Sequence, residues 1–308
     1  MTLLIALLLC QQQRDPAADG PLEPGVVREE KPARPQEQDP ADPQDPFERL
    51  TKVTNWQLEW APSTTLYPNY IADPLTPRSG TFVMMPIKKG DNYKIETAVG
   101  SQRLFFRKWD EALQEGFDFG VDGAIISRMD LSEEFDLDAG DYMYGFPLTY
   151  RLGRISAKFR PWHLSSHLGD EYIRREGYSA IRYHKNELEV GFAYDWTPEF
   201  RTYVDGGWGF YVGTPNKPWR AQMGAEWVGN IYWIGPPMTF IALDIKWRQE
   251  TDWDTAVSLQ TGFYLFSGEK RGGLGLRFYL GYYFGHAAQT QFPEERNHFW
   301  GYGFAASF

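Results

Sequence analysis

The chain of 308 residues carries a net charge of −10 and has one cysteine, Cys10. The acidic balance argues against nucleic-acid binding, which needs basic patches, and a lone cysteine excludes intrachain disulfides and cysteine-rich metal sites. No apolar run approaches the ~20 residues of a membrane-spanning helix. Strands that cross a membrane stay compatible with this composition, because only every second residue of such a strand faces lipid.

The amino-terminal segment resembles a shortened secretory signal, in which an apolar run at residues 3–9 is closed by Cys10. Two alternatives stay open, lipidation of Cys10 and a signal truncated by a mis-assigned start. Residues 11–64 are rich in Pro, Asp, Glu and Gln. Since almost no side chain there suits a core, this segment is predicted to be a disordered periplasmic tail, acting as a plain linker or as a tether for a partner.

The next segment, residues 66–74, is partly apolar but is broken by Pro68 and Pro74. It is predicted to pack at the mouth of the β-structure that follows, or to lead into its first strand. The alternation that marks strands begins only after it.

Nearly every segment beyond residue 90 alternates with period two, large apolar side chains on one face and charged or small ones on the other. This period predicts β-strands. Strands are predicted near residues 80–87, 92–108, 115–128, 140–150, 153–165, 177–195, 199–212, 218–229, 237–248, 254–266, 273–285 and 297–308. The first two of these strands are the least regular. The connections between the later strands are alternately short and long.

The last strand shows the pattern best, because Trp300, Tyr302, Phe304 and the terminal Phe308 share one face. Aromatic residues near both ends of an apolar face are typical of the lipid-facing wall of an outer-membrane barrel. The sequence therefore predicts an all-β fold, a closed antiparallel transmembrane β-barrel of about twelve strands over residues 65–308. A strand of this type ending in Phe308 also predicts recognition by the barrel-assembly machinery of a Gram-negative outer membrane.

The opposite faces of these strands carry charges of both signs, which the barrel would place in its lumen. Unpaired ions away from bulk water are costly, so these charges are expected to pair. The predicted lumen charges are Asp118, Asp122, Lys158, Arg160, Glu187, Glu189, Asp205, Arg220, Glu226, Asp244, Lys246 and Arg277. The same alternation points five tyrosines inward, namely Tyr203, Tyr211, Tyr264, Tyr279 and Tyr283. A salt-bridged lumen predicts a structural envelope protein or a narrow pore, without a cofactor.

One polar cluster, residues 161–172, has residue types that carry chemistry. His163 and Ser165 share a face, and the alternation upstream places that face toward lipid near the external rim. A hydroxyl beside an imidazole supplies a nucleophile and a base for cleaving a lipid ester. The alternative is that Ser166, His167, Asp170 and Glu171, with this pair, anchor a structured loop by hydrogen bonds. A zinc site would need His163 and His167 to fold together.

The triplet His163-Leu164-Ser165 resembles the His-x-Ser pair of outer-membrane phospholipase A, a twelve-stranded barrel family. The resemblance implies an acyl-ester hydrolase on membrane lipid that uses calcium, to which Asp170 and Glu171 would contribute. The chain departs from that family after Ser165, where Ser166-His167 replaces Asn-Gly. The family's orienting asparagine is replaced, at equivalent spacing, by residues 177–179, and Asn186 and Glu187 lie further along, so no complete catalytic set is expected.

A longer resemblance covers about residues 65–308. The strings at residues 71–74, 146–151, 157–159 and 163–172, above all Ser-Ser-His-Leu-Gly-Asp-Glu, are similar to the bacterial domain-of-unknown-function 1207 family. The resemblance implies an envelope barrel and leaves its activity open.

Overall fold

The computed structural model describes residues 55–88, 90–181, 183–213, 216–230, 238–267 and 275–307. Within them, fourteen strands form one antiparallel sheet that closes on itself. The strands are β1 (Gln57–Trp60), β2 (Ser79–Pro86), β3 (Lys94–Asp110), β4 (Glu115–Asp130), β5 (Asp136–Gly145), β6 (Leu148–Leu152), β7 (Ile155–Leu168), β8 (Tyr183–Asp195), β9 (Phe200–Val212), β10 (Trp219–Gly229), β11 (Thr239–Arg248), β12 (Thr255–Ser267), β13 (Gly275–His286) and β14 (Arg296–Ser307). Helix α1 (Asp170–Glu176) and a 3-10 turn (Gln249–Thr251) lie in connections. No helix in the described ranges is long and apolar enough to cross a membrane.

The fourteen strands fill twelve positions around the barrel. β5 and β6 continue one register along β4, since Gly145 lies opposite Asp122 and Leu148 opposite Phe119. Pro147 interrupts the ladder because it has no N–H to donate. β1 and β2 likewise both pair with β3, and β2 also pairs with β14, which closes the barrel. The predicted closed antiparallel barrel of twelve strands is therefore confirmed.

Several strand limits differ from the predicted ones. β5 begins four residues before the predicted residue 140, and β7 continues to Leu168 rather than residue 165. β8 begins at Tyr183 rather than residue 177, because the chain that leaves α1 at Glu176 has no regular structure over residues 177–181. β1 lies within the range that the sequence assigns to the tail, so regular structure starts before residue 65.

The barrel has two distinct ends. β2 begins and β14 ends at one of them, called here the terminal end, where two-residue and four-residue connections occur at 153–154 and 196–199. The other end, called the loop end, carries the longer connection between β7 and β8, which contains α1, and the connection at 287–295. This asymmetry agrees with the alternation of short and long connections in the sequence.

The outer wall is apolar along its length. Its exposed aliphatic side chains include Val99, Ile125, Ile155, Val190, Val204, Ile241, Leu259 and Leu280. Aromatic side chains concentrate toward the two ends: Trp208 and Trp219 pair near the loop end with centroids 6.3 Å apart, and Phe263 and Phe278 pair near the terminal end at 5.7 Å. An apolar band between aromatic zones is the surface expected of a lipid-facing wall.

The predicted lumen charges do face the interior. All twelve are buried except Lys246, which is half-buried. Arg220 joins three carboxylates, those of Glu187 at 2.5 Å, Asp205 at 2.7 Å and Glu189 at 2.8 Å. Arg160 extends this network to Asp122 at 2.6 Å. The lumen is therefore bridged between neighbouring strands by paired ions, as their opposite signs predict.

The chain itself crosses the lumen between β1 and β2. Residues 64–78, called here the lumen segment, make contact with inward side chains from several strands. The Tyr70 hydroxyl donates to Asp205 Oδ2 at 2.9 Å, and the backbone N–H groups of Leu66 and Ile71 donate to Asp118 and Glu226. Tyr67, Tyr70, Ile71 and Ala72 are buried. The segment does lead into the first long strand, but by way of the interior rather than the barrel mouth.

Four of the five tyrosines predicted to point inward are buried, namely Tyr203, Tyr264, Tyr279 and Tyr283. The prediction is wrong for Tyr211, which is 59% exposed and contacts the outward ring of His184. The register slips between the pairs Asn186–Tyr211 and Glu187–Gly209. This bulge inserts one residue into β9 and turns Tyr211 to the outer face.

Candidate functional site

The outer face of β7 near the loop end carries the candidate site. His163 and Ser165 are half-buried on this face, His167 is exposed, and the intervening Leu164 and Ser166 are buried on the inner face. Strong alternation upstream, with Ser156 and Lys158 inside, fixes this parity, and Pro161 does not break it. The two residues proposed for chemistry therefore share the wall face that the sequence predicts for them.

His163 has a partner on the neighbouring strand. The register places His163 directly opposite Asn186 of β8, and His163 Nδ1 lies 2.6 Å from Asn186 Oδ1. Because an amide oxygen only accepts hydrogen bonds, Nδ1 carries the proton and Nε2 of the neutral ring is left as an acceptor. The His163 ring also packs on the Tyr144 ring, with centroids 5.2 Å apart. Asn186 thus favours the tautomer of His163 in which Nδ1 carries the proton.

Ser165 lies between two outward side chains on the adjacent strands. It faces Tyr142 of β5 on one side and His184 of β8 on the other. Directly opposite residues in an antiparallel pair have Cβ atoms about 4.5–5.5 Å apart. Within the described part of the chain, the Ser165 hydroxyl makes no hydrogen bond, with His163 or with another side chain. Catalytic hydrogen bonds are often long without substrate and tighten in the complex.

The other residues of the cluster have different surroundings. The Ser166 hydroxyl donates to the buried Asp141 carboxylate, which also accepts from Thr290 Oγ1 at 2.9 Å. Gln291 Nε2 donates to the Ser166 backbone oxygen at 2.7 Å. Ser166 therefore ties β7 to the connection between β13 and β14. His167 packs edge-on against Tyr142, at 5.7 Å between centroids.

Asp170 and Glu171 begin α1 and do not fit the calcium site that the phospholipase resemblance implies. Asp170 is exposed, and Glu171 Oε1 accepts from Arg174 Nη2 at 3.2 Å. In the described residues, no group of three or more His, Cys, Asp or Glu side chains is arranged to hold a metal ion. Calcium needs six to eight oxygen ligands.

In the sequence, Asn186 lies further along the chain than the spacing of the phospholipase family predicts, yet it is the residue that contacts His163. Residues 177–179, at the spacing that the phospholipase resemblance implies, fall outside any strand, whereas Asn186 lies opposite the histidine. The extra residues of the connection that contains α1 shift the register along β8. His184 was not predicted from the sequence as a site residue, although its alternation with Asn186 puts both on the outward face.

Closed twelve-stranded barrels with an apolar outer wall and a charged interior form the class of outer-membrane barrel proteins. This chain has the fold of that class. It belongs to the family described as "Protein of unknown function (DUF1207)", which matches residues 30–308. No curated protein matches the sequence.

Solved structures share the barrel. Outer membrane phospholipase A from Escherichia coli superposes with a TM-score of 0.51 at 11% identity, covering 76% of this chain and 91% of that one. A mutant of the Rh. blastica porin has a TM-score of 0.34 at 8% identity, covering 74% of this chain and 98% of that one. At these identities the first likeness concerns the fold alone.

Proposed function

We propose that this chain is an outer-membrane acyl-ester hydrolase that acts on membrane lipid from the outer face of its barrel wall. One observation carries the proposal, the 2.6 Å contact between His163 Nδ1 and Asn186 Oδ1 beside the outward Ser165. A nucleophile, a base and a group that orients the base are the parts that define a serine hydrolase on any fold. The fold shared with a protein named outer membrane phospholipase A supports the same reading.

In this reaction Ser165 is the nucleophile, His163 is the base and Asn186 orients the base. Ser165 Oγ forms a bond to the acyl carbon while its proton moves to His163 Nε2, and the carbonyl electron pair moves to the oxygen. When that oxyanion collapses, the ester bond breaks and His163 returns the proton to the departing alcohol oxygen. Water then repeats both steps on the Ser165 acyl ester and releases a fatty acid. Asn186 keeps the His163 ring in the required tautomer throughout.

The position of the site suits a lipid substrate. Ser165 lies three residues from the loop end of β7, on a wall whose exposed side chains include Tyr144 opposite His163 and, further toward the terminal end, Phe159 and Val190. An acyl chain lying along that wall would bring its ester to the height of Ser165 without leaving the membrane. The ester therefore reaches the serine laterally, and the lumen has no part in the reaction.

This function requires insertion in the outer membrane, with the terminal end of the barrel in the periplasm. The apolar outer wall and the likeness to outer-membrane proteins support that placement. The amino-terminal tail would then lie in the periplasm, and the assembly machinery would engage the last strand. Phe308 itself lies outside the described residues. A heat-modifiable band in detergent gels tests closure, and fractionation of the envelope tests location.

The activity is tested on full-length protein in mixed micelles of detergent and phosphatidylcholine, with calcium or with EDTA. We expect release of fatty acid, lost in Ser165→Ala and His163→Ala, and labelling of Ser165 by a fluorophosphonate. A matched control is Ser258→Ala, which removes a buried inward hydroxyl on β12. No release from the parent protein, or equal release from all variants, ends the hydrolase proposal.

A non-enzymatic structural barrel is the second candidate. The ion network of Arg220 and the lumen segment favour it, because both brace the barrel from within. The same two features argue against the narrow pore, since the segment occupies the path that an ion would take. This candidate predicts no turnover and no steady conductance.

A further inference from the structure

A serine hydrolase needs a hydrogen-bond donor where negative charge develops on the acyl oxygen, because that donor commonly supplies the largest single part of the rate enhancement. His163 does not fill this role while it serves as base. Asp170 and Glu171 do not assemble a calcium site that would. The side chains directly opposite Ser165 are the first candidates for this role.

Ser165 has two such neighbours, Tyr142 on β5 and His184 on β8. Tyr142 is in contact with the ring of His167. His184 is half-buried on the same outer face as Ser165, and neither ring nitrogen bonds to another residue in the described ranges. A neutral imidazole carries one N–H, and a charged one carries two. His184 thus carries an N–H donor on the residue directly opposite Ser165.

The structure holds this histidine in place from two sides. The backbone oxygen of His184 accepts from the N–H of Gly213 at 2.9 Å and from Asn216 Nδ2 at 3.3 Å. Its ring packs on Tyr211, with centroids 4.9 Å apart and planes inclined by 34°. Tyr211 reaches the outer face because of the bulge in β9, and bulges often re-aim side chains next to active sites.

We infer that His184 is the oxyanion-stabilising residue of the proposed hydrolase, donating an imidazole N–H to the acyl oxygen as Ser165 attacks. The inference rests on the proposed function, in which Ser165 and His163 carry out the bond changes. His184 makes and breaks no covalent bond. It gives the reaction a charge-stabilising group drawn from the strand beside the nucleophile, so the chemistry proceeds on this chain's own side chains with EDTA present.

The test compares His184→Ala, His184→Gln and His184→Phe, with His298→Phe as the matched control. His298 is an outward histidine of β14 that also packs on aromatic rings. It lies on the other side of the barrel from Ser165, since six strands separate β14 from β7 in the sheet. The substrate is phosphatidylcholine in detergent micelles containing EDTA. We expect His184→Ala and His184→Phe to lower kcat by about 10²- to 10³-fold with little change in KM, and His184→Gln to recover part of the loss through its amide donor.

Fluorophosphonate labelling separates this inference from the proposed function. We expect His184→Ala to label Ser165 slowly and His163→Ala not to label it. Heat-modifiable mobility verifies that each variant is a closed barrel. Turnover by His184→Phe equal to the parent's, or equal losses in the Gln and Phe variants, overturns the role of His184 while the hydrolase stands. A parent protein that neither turns over nor labels overturns both.

Discussion

The carboxylate of Asp73 lies 2.7 Å from the ammonium group of Lys246, although 173 residues separate them in the chain. Gln222 Nε2 donates to the other oxygen of Asp73 at 3.0 Å. These contacts join the lumen segment to β10 and β11, on the far side of the barrel from β3, which pairs with β2. The lumen segment is thus fastened at both walls, and the barrel is braced across its interior.

Reversing the charge of Asp73 should loosen that brace. Asp73→Lys places two ammonium groups at the Lys246 contact, and like charges at this distance repel strongly away from bulk water. We expect the parent barrel to carry no steady current in planar bilayers and the variant to show frequent openings. Asp252→Lys, which alters an exposed connection, is the control. A steady current through the parent would contradict a lumen filled by its own chain.

Arg220 is the cation on which the lumen network depends. Arg220→Ala leaves the carboxylates of Glu187, Glu189 and Asp205 without their shared partner. Breaking a buried ion pair by removing one partner costs about 3–5 kcal/mol, so we expect a loss of that size in the free energy of unfolding. Lys217→Ala removes an exposed ion pair and should cost less than about 1 kcal/mol. Urea unfolding in detergent, followed by tryptophan fluorescence, measures both, and equal effects would argue against the network.

Substitutions of two adjacent serines should have different effects, because Ser165 faces outward and Ser166 faces inward. Ser166→Ala removes a donor from the buried Asp141 carboxylate, which should cost about 1–3 kcal/mol in unfolding free energy. Its turnover should stay near the parent's. Ser165→Ala should change the unfolding free energy by no more than about 0.5 kcal/mol and abolish turnover. Parallel effects of the two substitutions on stability would make the motif a loop anchor only.

The period-two alternation in the sequence predicted which face of a strand each side chain occupies, because that depends only on local backbone geometry. The alternation in β7 places His163 and Ser165 outside because the side-chain period of a strand is fixed by its backbone, and the same rule places Arg220 and Glu187 inside. Tyr211 departs from this rule because the bulge in β9 inserts one residue and reverses the parity. The alternation of the residues before the bulge does not reveal it.

Pairing across strands was not predictable in the same way. The residue opposite His163 depends on how many residues the connection holds, and α1 lengthens that connection beyond a tight hairpin. The burial of the lumen segment inside the barrel was also not predictable from the sequence. Its prolines and short apolar runs resemble those of a linker. Its position in the lumen depends on contacts with charged side chains distant in sequence, such as Glu226 and Lys246.

Asn186 provides the sharpest test of the candidate site, because it touches no substrate atom in the proposed reaction. Asn186→Ala removes the acceptor at His163 Nδ1 and frees the ring to adopt the wrong tautomer. Losses of about 10²- to 10⁴-fold in kcat follow when a base loses its orienting partner. Asn186→Asp keeps an acceptor oxygen and should retain most of the activity. Because the two residues act as a unit, the double variant with His163→Ala should be no slower than His163→Ala alone. Additive losses, or an Asn186→Ala variant as fast as the parent, would show that this contact serves only the packing of β7 on β8.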